Sequence, residues 1–196
     1  ALDRYGKFEV KGIHILKHPA SQWKRYGLDI ATMCDFSSQL SCYRREHGET
    51  IWPQHATLLC ELKTDEGTIM VHIEKNNTVC ISSRISLSTD ALSKRIAASQ
   101  PITLYDLLTN TQERMGVETY FNWSIRKNNC QHFVLAILRS LRQDDHPDDK
   151  SIDFIYQRFF SDELRISWVG LLLIDTCLRG WNITSSIIDN IQRCMN

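Results

Sequence analysis

The chain has 196 residues, room for one domain with a substantial core, alone or with a helical appendage. Hydrophobic residues make up 42% and charged residues 23%, which excludes a disordered or collagen-like chain. Lysine plus arginine balances aspartate plus glutamate at 23 each, so charge gives no reason to expect nucleic acid as a partner.

The first fifty residues are mixed. Residues 7–15 (Lys-Phe-Glu-Val-Lys-Gly-Ile-His-Ile) alternate polar and apolar and predict a strand; Ser37-Ser38 and Gly48 read as loop. Short basic pairs, Lys24-Arg25 and Arg44-Arg45, read as solvated surface. The clearest β-signal follows Pro53. Residues 55–63 and 68–75 are strand-like runs around Thr64-Asp65-Glu66-Gly67, which predicts a hairpin. A short strand is expected at 78–81. From residue 88 the pattern reads as helical, with a candidate over Ser88–Ser99. Thr103-Leu104-Tyr105-Asp106 has the shape of a capping box and opens another helix. Cys130, Phe133, Val134, Ile137, Leu138 and Leu141 then recur at helical spacing, one apolar face with Asn128 or Asn129 as its N-cap. Residues 143–150 form a polar linker. Helices are expected beyond it, starting at Ser151, at Ser161 and after Gly180.

Seven cysteines, at 34, 42, 60, 80, 130, 177 and 194, match no disulfide framework, and several lie in apolar runs. A reducing, cytoplasmic setting is expected. Three matches to the glycosylation acceptor pattern, at Asn76, Asn122 and Asn182, pull the other way, but so short a pattern arises often by chance. The chain opens on Ala1 rather than Met, as a processed product or a piece of a longer protein would. The most apolar stretch, 168–174, is far short of the ~20 residues that span a bilayer. No transmembrane segment is expected, which leaves peripheral membrane contact open. Neither a metal nor a cofactor is expected: Cys34, Cys42, His47, Cys130 and His132 show no zinc-site spacing, and no phosphate loop is present.

Asn129-Cys130-Gln131-His132-Phe133 places a thiol in the first turn of an amphipathic helix. Unsatisfied N–H groups and the positive end of the helix dipole favour thiolate there, and the same N–H groups can hold an oxyanion. The plainer reading is that Cys130 begins the buried face. A nucleophilic thiol needs a base. His14, His18 and His146 are poorly placed, and His132 is too close along its own helix to face the sulfur. His55 stands at the mouth of the hairpin and His72 on its second strand. If the turn is centred between Asp65 and Gly67, His72 lies opposite 59 or 61 and Glu74 opposite 57 or 59, both on the face of His55. Either is eligible to orient His55, and Glu74 is the closer.

Asn129-Cys130-Gln131-His132-Phe133-Val134 resembles the Asn-Cys-Glu-His-Phe-Val signature of the lecithin-retinol-acyltransferase-like proteins, a permuted branch of the NlpC-type papain-like superfamily whose skeleton viral H-box/NC proteins share. His55 and His72 look like that family's two strand residues, over roughly residues 50–142. Gln131 replaces the usual glutamate, the interval from His55 to His72 is long, and the family's C-terminal anchor has no full-length match. The resemblance implies an α+β permuted papain-like fold over 1–142, with the linker 143–150 and a helical extension 151–196. It also implies a thioester-forming hydrolase or acyltransferase with Cys130 as nucleophile, His55 as base, and His72 or Glu74 behind it. Its substrate would be a lipid acyl ester, or an amide in a peptide or protein, as for a peptidase or deamidase. The alternative is a catalytically silent H-box/NC-type interaction module.

Overall fold

The computed structural model describes residues 1–19, 54–76, 78–83, 92–122, 128–142 and 176. Its elements are a short helix α1 (Leu2–Tyr5), strands β1 (Glu9–Pro19), β2 (Gln54–Thr64), β3 (Gly67–Lys75), β4 (Val79–Ser82) and β5 (Leu92–Ala97), then helices α2 (Leu104–Met115), α3 (Val117–Phe121) and α4 (Cys130–Arg142). The class is α+β. The strands form one antiparallel sheet in the order β4-β3-β2-β1-β5.

The hairpin forms where the sequence predicts it. Its turn needs the positive φ of Gly67, at 133°, which a side chain would strain. The register pairs Leu59 with His72 and reaches Gly67 from Thr64. On β2, Ala56, Leu58, Cys60 and Leu62 face one way, with Val71 and Ile73 of β3, Ile13 and Ile15 of β1 and Ile96 of β5 beside them. Against this face lie Leu104, Leu107 and Leu108 of α2 and the apolar stripe of α4, from Cys130 through Phe133, Val134, Ile137 and Leu138 to Leu141. Helix α4 packs on α2, β2 and β3.

The expected helix over 88–99 is corrected. Residues 92–97 are strand β5, paired antiparallel with β1 from Gly12↔Ala97 to Lys17↔Leu92. The outer edge of β1 would otherwise offer unpaired N–H and C=O groups, and satisfying them outweighs a weak local helix preference. Only Ile96 of this strand is buried. Helix α3 was not legible in advance. Gly116, at φ 78°, ends α2 and lets α3 start in a new direction. The expected loops at 37–38 and 48, the linker at 143–150 and the extension lie outside the described residues, apart from a single helical residue, Thr176.

Candidate functional site

Helix α4 begins where the capping argument places it. Asn129 Oδ1 accepts the backbone N–H groups of Gln131 at 2.9 Å and His132 at 3.2 Å, and His132 Nδ1 lies 2.9 Å from the same oxygen. The Asn129 carbonyl accepts the Phe133 N–H at 3.2 Å. The N–H groups of residues 131, 132 and 133 therefore end on Asn129. These three donors are engaged within the cap, which reduces their availability to an oxyanion. Cys130 sits at the first helical position and is 8% exposed.

His55 Nε2 lies 3.3 Å from Glu74 Oε2. The β2–β3 register ends at Leu58↔Ile73, and one further step along both strands sets Glu74 beside Thr57. His72 is on the same face. Burial lowers its pKa, the charge of Glu74 opposes that shift, and the proximity of His55 adds to it. His55, His72 and Glu74 are thus brought together. Thr57, on the same face, is buried with a hydroxyl that has no hydrogen-bond partner.

The face on which they gather is the one turned away from Cys130. Glu74 stands between Ile73 and Lys75, and Ile73 points into the core that contains Cys130. Ala56, next to His55, points the same way as Ile73. Strand alternation then directs His55 and Glu74 to the opposite side of the sheet. Alternation by itself therefore does not bring the His55 imidazole to Cys130. The arithmetic of the hairpin settles which residues share a face, but not which face the helix covers. The signal for the second question was in the sequence: Ala56, Leu58, Cys60 and Leu62 are uniformly apolar, whereas His55, Thr57 and Glu61 are polar.

The same alternation brings a residue that sequence reasoning missed to the core side. Lys75 is 0% exposed, and its Nζ donates to the carbonyl oxygens of Tyr120 at 2.7 Å and Asn122 at 2.8 Å. Burial lowers its pKa to about 8, and the charge of Cys130 opposes the shift. Asn128 Nδ2 donates to the carbonyls of Thr119 and Asn122. Lys75 and Asn128 together tie the end of α3 to the residues that lead into Cys130.

Two further polar features lie away from this place. On the second sheet face, Glu61 accepts from Arg95 Nε at 2.9 Å and Nη2 at 2.6 Å, and His14 Nε2 lies 2.8 Å from Glu61. These contacts hold the Glu61 carboxyl down at about 2, the Arg95 hydrogen bonds foremost. A cavity of about 470 Å³ is lined by Asn110, Glu113 and Arg114 of α2 and by Ser140. Ser140 is ten residues along α4 from Cys130, roughly 15 Å at the rise of an α-helix, so this cavity is not a substrate pocket for the thiol. Among the described residues, no group of His, Cys, Asp or Glu could hold a metal ion, and no helix is long and apolar enough to cross a membrane. Comparison with models of known families, with curated proteins and with solved structures gave no match to this chain.

Proposed function

We propose that this chain acts by binding a protein or peptide partner, as an interaction module on a permuted papain-like skeleton of the H-box/NC kind, without Cys130–His55 acyl transfer. The observation that carries this reading is the alternation of β2 and β3, which turns His55 and Glu74 away from the core face that holds Cys130. Alternation turns His55 off the sheet side that holds the thiol, so His55 is not placed to activate water, an amine or an alcohol for the second half of an acyl transfer. The capped first turn of α4 supports the same reading. So does α3, which presents Val117 (61% exposed) and Phe121 (51% exposed) one turn apart, the spacing of a helix contact surface. A reducing, cytoplasmic setting belongs with it, since Cys60, Cys80 and Cys130 form no disulfide.

The test is turnover of a fluorescent phospholipid and of a generic acyl-amide by the full chain, with Cys130→Ser and His55→Ala as controls. The reading predicts no release above the blank from either substrate. Turnover that disappears in both variants would overturn it.

A further inference from the structure

We infer that the outer edge of β5 is a docking edge for an extended acidic segment of a partner protein, which adds to the sheet as a further strand. This rests on the reading of the chain as a partner-binding module and names where the partner lies. β5 is the last strand of the sheet, bonded on one side to β1, and among the described residues no strand pairs with its other side. Two contacts fix which backbone groups point outward. The Ala98 N–H donates to the Lys11 carbonyl at 3.1 Å, and the Ile96 carbonyl oxygen lies 3.0 Å from where a Cβ on Gly12 would stand. Residues 96 and 98 therefore turn their backbone groups to β1. These groups alternate sides along a strand, so Ser93, Arg95 and Ala97 turn theirs to the open edge. All of these residues are exposed. Their N–H and C=O groups form a row of donors and acceptors with the spacing of a ladder, the surface on which an extended peptide docks.

Charge selects the occupant. Across residues 12–17 of β1 and 92–97 of β5 stand Lys17, Lys94 and Arg95, with no carboxylate. Arg95 is engaged by Glu61 on the second face of the sheet. Lys94 alternates with Ile96, and Lys17 with Ile15, so the two ammonium groups share the other face, beside Leu92, which is 56% exposed. An incoming strand with carboxylates on that face meets Lys94 across the new pair, with Lys17 one strand further in. A second copy of this chain is the poorer occupant: antiparallel pairing of two β5 edges would set their cations against one another. Cationic side chains of this kind keep an open edge from pairing with itself.

Fluorescence anisotropy of the full chain tests this, with a labelled peptide of alternating glutamate and valine of about eight residues, the length of an ordinary strand, and its lysine–valine counterpart. The glutamate peptide is expected to bind saturably, more weakly as salt rises, and about tenfold more tightly than the lysine peptide. Ser93→Pro removes an outward N–H and leaves the bonds to β1 in place; it should weaken binding about fivefold, the worth of one net hydrogen bond. Lys94→Glu should narrow or reverse the preference between the two peptides. Absence of saturable binding up to about 1 mM glutamate peptide, equal affinity for both peptides, or parental behaviour in both variants would overturn the inference. A dimer seen in sedimentation and lost in Ser93→Pro would overturn it too, by seating a second copy on the edge. Should Ser93→Pro fail to fold, Lys94→Glu decides alone. The turnover assay is a separate readout, so this inference can fail while the partner-binding reading stands.

Discussion

Asn129 shows how much of the site a single side chain determines. One amide oxygen meets two first-turn N–H groups, fixes the start of α4 and places Cys130 at its first position. Replacing it with alanine should cost about 1 kcal/mol of stability, the usual cost of losing an N-cap, read as a lowered denaturation midpoint. Glu61 makes a second residue-scale case. Its carboxyl is held far below its ordinary value in the folded chain, so the unfolded chain takes up the proton first as pH falls. Its contribution is therefore fully present above the usual carboxylate range and is lost as pH drops towards about 2. Glu61→Gln should be less stable than the parent chain at neutral pH, and acid titration of both should bring their midpoints together. A gap that persists unchanged at pH ~3 would mean that Glu61 acts through packing rather than charge.

At the scale of elements, legibility in the sequence followed the strength of local periodicity. The hairpin, β4, the Thr103 cap and the α4 stripe each rest on contacts within a few residues or on a regular alternation, and each forms as read. Strand β5 does not belong to that class, because its conformation is set by the open edge of β1, eighty residues earlier in the chain. Helix α3 depends on the turn that Gly116 permits, which no periodic pattern announces. Gly116→Ala should cost about 1 kcal/mol, since a Cβ is strained at that φ, with the loss appearing in thermal melts. Ile73→Ala should cost more, roughly 2–5 kcal/mol, because it empties a fully enclosed position between β2 and α4. An Ile73 variant with near-parental stability would place the core elsewhere.

For the whole molecule, the decisive feature is that one sheet has two differently equipped faces. The core face carries the thiol, its helix and the buried ammonium of Lys75; the other carries His55, His72, Glu74 and the Glu61–Arg95–His14 cluster. The candidate site was legible residue by residue, and His55 and Glu74 do meet. What the hairpin register alone left undecided was which face the helix covers, and the uniformly apolar run of Ala56, Leu58, Cys60 and Leu62 carried that signal. The most direct measurement is the pH dependence of Cys130 alkylation in the parent chain and in His55→Ala. Superimposable profiles are predicted, because strand alternation turns the imidazole away from the core face that holds the sulfur. A profile displaced by a pH unit, or a Cys130 rate about tenfold slower near neutrality, would contradict the account by showing that the two groups share a cleft.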